Sequence, residues 1–116
     1  MKAILIDVHN KDIKEIDYDG NTKNLYKFVD CQLFDIVNID DSNHIFVDDE
    51  GLFVANQLYF SYNDKALAGN GLILGYNRAG ETTGTTLDIK DVTANIKWLP
   101  KGYAVEPEIK VTAWRL

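Results

Sequence analysis

The chain is predicted to be an α+β domain, with a mixed, mainly antiparallel sheet and two short helices packed on one face. Three observations lead there. Apolar runs of strand length recur along the chain, short Asp/Asn/Gly turns of hairpin type separate them, and only residues 22–31 and 87–95 switch to helical spacing.

Residues 3–8 form a nearly continuous isoleucine-rich run, the pattern of a strand buried on both faces and placed centrally. Asn10, Lys11 and Asp12 supply a turn, and residues 13–18 a more polar partner strand ending at Asp19-Gly20. Within 22–31, Leu25, Phe28 and Val29 share one helical face, and Asn21 or Thr22 can accept a bond from the first-turn amides. Residues 33–39 and 45–47 read as a second hairpin around the Asp/Asn/Ser turn at 38–43. Residues 52–55 fit a strand or a single helical turn, because periodicity cannot arbitrate four residues. Residues 58–62 alternate as a half-buried strand, Asn63-Asp64-Lys65 is a turn, and residues 72–76 are a second central strand flanked by glycines. Asn77 to Glu81 is another turn, and the threonine-rich stretch 82–86 is expected to be a flexible loop. In the second helix Ile89, Val92 and Ile96 are correctly spaced. Pro107 then interrupts the chain before residues 109–114 alternate as a closing strand. Residues 100–116 are expected to add a further strand to the same domain.

One domain is all that 116 residues support, and 46% apolar with 26% charged residues argues for a folded chain. The formal charge of -6 argues against nucleic acid, whose affinity comes from lysines and arginines displacing phosphate counterions. A single cysteine, Cys31, leaves no internal disulfide and no thiol pair for zinc or redox work. No apolar run approaches membrane length and none at the N-terminus suits a signal peptide, so the expected location is the cytoplasm.

The opening Met1-Lys2-Ala3, the strand from Cys31 to Ile39, the motif Val47-Asp48-Asp49-Glu50-Gly51-Leu52 and the run Leu67-Ala68-Gly69-Asn70-Gly71-Leu72-Ile73-Leu74-Gly75 together resemble one family. It is the domain of unknown function 3846 family, borne by phages, prophages and mobile elements, and the resemblance covers residues 1–99. It implies a setting and no chemistry: a small accessory protein, with no catalytic residue to transfer.

Asp48, Asp49 and Glu50 could supply oxygen ligands to a divalent cation, together with Asp40 and Asp41, against the ordinary alternative of an acidic turn between strand and loop. Strand alternation lets at most two of the three converge. Gly69, Asn70 and Gly71, with Gly75, could offer open backbone to a ligand, against the ordinary alternative of tight packing or turn geometry, and the strand that follows lacks the helix dipole of a phosphate loop. Tyr76 could stack on a base, and Arg78 beside it could pair with an anion, although a lone arginine on a turn is ordinarily solvated. Tyr59, Phe60 and Tyr62, with Tyr76, Tyr103 and the tryptophans Trp98 and Trp114, are candidates for an aromatic contact surface, against the ordinary alternative of core residues. His9 and His44 are isolated, and Cys31 lacks a partner base.

These features favour a non-catalytic accessory protein that acts on a host protein or self-associates through exposed aromatics and the acidic turn. No catalytic residue and no cofactor is assigned. The competing reading is a nucleotide-like small molecule bound or sequestered near residues 48–51 and 69–75.

Overall fold

The computed structural model describes residues 1–104. Two antiparallel sheets and two helices make up the fold, and every strand pairing among the described residues is antiparallel. The larger sheet has the order β2 (Asp12–Asp17), β1 (Lys2–Asp7), β7 (Gly71–Tyr76), β4 (Asn43–Asp48), β3 (Phe34–Asn38), with β8 (Thr82–Thr83) beside the end of β7. The smaller sheet, not anticipated from the sequence, has the order β6 (Lys65–Ala68), β5 (Tyr59–Tyr62), β9 (Ile96–Trp98). The α+β expectation is met, as are both expected hairpins and the interior places of β1 and β7.

Alternation along the interior strands creates two cores. Ile4, Ile6, Ile45, Val47 and Ile73 face one way, where they meet Phe60, Tyr62 and Leu67 of the smaller sheet. Ala3, Leu5, Phe46, Leu72 and Leu74 face the other way. Both helices were expected on one face, and the packing corrects this. Leu25 and Val29 of α1 (Thr22–Val29) join the second core, whereas Val92 of α2 (Ile89–Asn95) joins the first. A sheet apolar on both faces needs cover on both, so one helix and the small sheet with the other helix divide the task. Each fully buried Ile or Leu of these strands contributes about 1.5–3 kcal/mol.

Local chemistry sets the boundaries. Asn21 caps α1 by accepting from the Lys23 amide at 3.0 Å. The helix stops at Val29, two residues short of the expected end. Asp30 turns left-handed at φ 57°, and the Cys31 amide bonds back to the Tyr26 carbonyl. Residues 52–55 take the helical option in part, as the 3-10 turn Gly51–Phe53. Asn63 and Asp64 both have positive φ, the geometry of a tight hairpin turn, so Lys65 belongs to a strand and not to the turn. The second helix is capped by Asp88 and ends before Ile96.

The threonine stretch is not the loose loop expected. Thr82–Thr83 pairs with β7, the Thr85 amide bonds the Lys2 carbonyl at 2.8 Å, and the buried Thr85 hydroxyl donates to Asn43 Oδ1. Threonine suits strand geometry and offers hydroxyls that a low-complexity reading overlooks. The expected closing strand at 109–114 lies outside the described residues.

Candidate functional site

The residues singled out by sequence divide into two places along the strands. Asn43 pairs with Gly75 and Phe46 with Leu72, so continuing that register sets Asp48 level with Asn70. Tyr76 and Arg78 follow from the other end of β7. His44 and Asp48 are four residues apart along β4, about 13 Å. One pocket does not collect all eight candidates.

At the far end, Tyr76 stacks on His44 with ring centroids 3.8 Å apart, and its hydroxyl donates to the Asp40 carbonyl at 2.9 Å. This contact closes the 38–43 turn. Burial lowers the His44 pKa against an opposing pull from Asp40. Arg78 lies exposed on the following turn and makes no ion pair among the described residues.

The glycine run is occupied by its own chain. Asn70 accepts from the Val8 amide at 3.0 Å and donates to the Phe28 carbonyl at 3.3 Å, tying β1 to the end of α1. A Cβ on Gly71 would stand 3.0 Å from both Ile45 and Phe60, and one on Gly75 would meet the Gly84 carbonyl and lie 2.6 Å from Thr83 Oγ1. Gly69 has φ +77° and sits beside Gln57. Gln57 donates to the Gly51 carbonyl at 3.0 Å, so the two sequence segments do meet, at Gly51, Ala68 and Gly69. That junction is filled by side chain and backbone.

The acidic turn is different. Asp48 is half-buried and accepts from the Glu50 amide at 3.0 Å, while Asp49 and Glu50 are exposed. None of the three forms an ion pair among the described residues, and no three His, Cys, Asp or Glu side chains there are grouped to hold a metal ion. Asp48 and Glu50 border an open hollow of about 620 Å³ whose other walls include Tyr26, Cys31, Phe53 and Val54, with Lys27 and Asp30 at the rim. Burial first, then Asp48 and Asp30, push the Cys31 thiol up to about 11. It is therefore almost wholly protonated at neutral pH and a poor nucleophile.

Family membership follows from the sequence as a whole. The family model for the domain of unknown function DUF3846 matches residues 1–97. The chain belongs to that family. Neither the curated proteins nor the solved structures contain a match to the chain. The family match spans both cores and both groups of candidate residues, and assigns chemistry to neither group.

Sequence reasoning missed the loop after the acids. Leu52, Phe53 and Val54 are 38%, 68% and 48% exposed, and Leu33, whose carbonyl accepts from the Asp49 amide, is exposed beside the turn. Tyr59, Phe60 and Tyr62 are buried instead, which removes them from any contact surface, while Tyr103 stays exposed and packs edge-on against Tyr59 at 5.2 Å. Three large apolar residues in succession, without strand or helix periodicity, were the available signal. Among the described residues no helix is long and apolar enough to cross a membrane.

Proposed function

We propose that this protein is a non-catalytic binding protein that engages a host protein or a second copy of itself through the loop at 52–54 and the acidic turn before it. The phage or mobile-element setting implied by family resemblance, and action in the bacterial cytoplasm, belong to the same proposal. The observation behind it is the 68% exposure of Phe53 between two other exposed apolar side chains. Adjacent exposed apolar residues favour contact, and burying one such side chain in a partner contributes about 2 kcal/mol. Asp49 and Glu50 beside the loop would favour a basic partner and make association salt-sensitive.

A photoreactive amino acid placed at position 53 tests this in producing cells, with position 14 on the β2 edge as control. A discrete cross-linked partner at 53 and not at 14 is expected. Equal capture at both positions, or none at 53, overturns the reading.

The hollow itself favours a second reading, a small-molecule site. Its 620 Å³ lies within the size range of ligand pockets, although it is open and its rim is mainly acidic, which opposes phosphate unless a metal bridges. Native mass spectrometry of gently purified protein should then show a discrete excess mass. The double substitution D48N and D49N should remove it without changing the fold.

A further inference from the structure

We propose that two copies of this chain join along β3, antiparallel about a two-fold axis at Ile36, with Leu33 of each copy seated in the hollow between β3 and β6 of the other. Among the described residues β3 ends the larger sheet, so one side of its backbone has no strand beside it. The Asp49 amide bonds the Leu33 carbonyl and the Ile39 amide bonds the Asn43 carbonyl, which turns the backbone groups of residues 33, 35, 37 and 39 towards β4. Those of Phe34, Ile36 and Asn38 therefore point outward. The Ile36 amide agrees with this: it donates to the carboxylate of Asp35, the residue just before it, at 2.8 Å. That oxygen stands in for the carbonyl of a neighbouring strand. Ile36 is 45% exposed and Leu33 54% exposed, a pair of apolar side chains that an edge left to water ordinarily avoids.

The register of the edge with itself names the occupant. With Ile36 on the axis, Phe34 stands opposite Asn38 of the second copy, Asp35 opposite Val37 and Leu33 opposite Ile39. No like charges meet, and about six backbone hydrogen bonds form, from residues 34, 36 and 38 of each copy. Val37 pairs with Ile45 and packs on the first core, so Leu33, Asp35 and Ile39 point to that same side. There a hollow of about 240 Å³ opens at the end of β3, lined by Val37, Ile39, Ile45, Tyr62, Lys65 and Leu67. Leu33 of the second copy arrives level with Ile39, at an apolar wall of the hollow. Asp35 of the second copy arrives level with Val37, on the side where Lys65 forms no ion pair among the described residues. Each Asp35 thus exchanges its own Ile36 amide for a lysine, and the amide passes to the second strand. The opposite edge, β2, lacks this complementarity: its two central two-fold registers set Lys14 against Lys14 or Glu15 against Glu15. The edge strands of the smaller sheet are only four and three residues long. This surface does not include residues 52–54, so the inference goes beyond the reading of that loop.

Disulfides placed in the full chain, with C31S to remove the single native thiol, read the register directly. Cα atoms of directly opposite residues stand about 4.5–5.5 Å apart and those of diagonal neighbours about 7–8 Å, against a limit of about 7 Å for a disulfide. Under mild oxidation I36C is expected to form linked dimers about tenfold faster than D35C or V37C alone, and an equimolar mixture of D35C and V37C to link about as fast as I36C. Sedimentation velocity of the unaltered protein should show a monomer–dimer equilibrium. I36R, which opposes two arginines on the axis, should weaken it at least about tenfold. D35K and K65D should each weaken it and the double variant restore it, an outcome that a misfolded chain cannot give. Monomer at every concentration up to about 1 mM, equal linking at all three positions, or a dimer that survives I36R would each overturn the proposal. F53S separates it from the other surface: this dimer is unchanged by F53S, and a dimer lost in F53S but kept in I36R belongs to the 52–54 loop instead.

Discussion

In β7, Gly75 has no room for a Cβ and Gly71 little, whereas on the neighbouring strand β4 the chain runs out into Asp49 and Glu50 and leaves Phe53 exposed. Both regions looked similar as candidates, small or polar residues interrupting apolar strands. The difference lies in what surrounds the backbone. At the glycines a second strand, a phenylalanine or a carbonyl fills the space that a side chain would take. At Asp49 and Glu50 the chain has left the strand and both side chains are exposed. A glycine in a strand more often marks close approach of the chain to itself than a place kept open for a ligand.

Substitutions can break this comparison, and the largest effect is expected at Gly75. G75A would drive a methyl group into the Gly84 carbonyl and displace β8, a loss of about 3 kcal/mol. In thermal unfolding this amounts to roughly 10 °C. A melting point within about 2 °C of the parent would show that the space is not closed. N70A comes next. It removes the acceptor for the Val8 amide and the donor to the Phe28 carbonyl, with an expected loss of about 2 kcal/mol in denaturant titration. No loss would mean that water or a ligand replaces both bonds readily, which would revive the glycine run as a site.

The His44 ring, paired across to Leu74, gives a smaller effect that depends on pH. Its folded pKa lies below the ordinary 6.5, chiefly through burial, so the unfolded chain binds more protons in the interval between the two values. The stability from neutral His44 is full above pH 6.5 and is lost as pH falls through the folded value. H44F keeps an aromatic ring on Tyr76 and should flatten the decline in stability between about pH 7 and about pH 5. An unchanged slope would assign that decline to other groups. Smallest of all should be D48N and F53S, each within about 0.5 kcal/mol of the parent, because one keeps the acceptor for the Glu50 amide and the other alters an exposed ring. A drop of 2 kcal/mol or more in F53S would instead place Phe53 in a packed environment.

How far these regions were legible depends on the range of the signal. The interior strands, the hairpin turns and the cap at Asn21 could be read directly, since alternation, Asp/Asn/Gly turns and side-chain caps act within a few residues. The smaller sheet could not. Its strands are three and four residues long, and β9 reaches β5 across more than thirty residues of chain. The acidic turn was visible by composition, but whether its acids converged was not, because side-chain direction after β4 depends on the turn that follows. Asn70 was visible too, and its two bonds to Val8 and Phe28 span 62 and 42 residues of sequence, beyond any local pattern.

The sequence by itself determined that this is an α+β domain with apolar strands 3–8 and 72–76 inside its main sheet, because a run apolar on both sides has to be covered on both sides. It also determined the separation of elements, through turn and cap residues whose preferences are intrinsic. Only the tertiary structure decided which helix covers which face, that the threonine stretch is bound to β1 and β4, and that the glycines are filled while Phe53 is bare. Burial and hydrogen-bond partners are properties of residues distant in sequence, and they exist only once the chain has closed on itself.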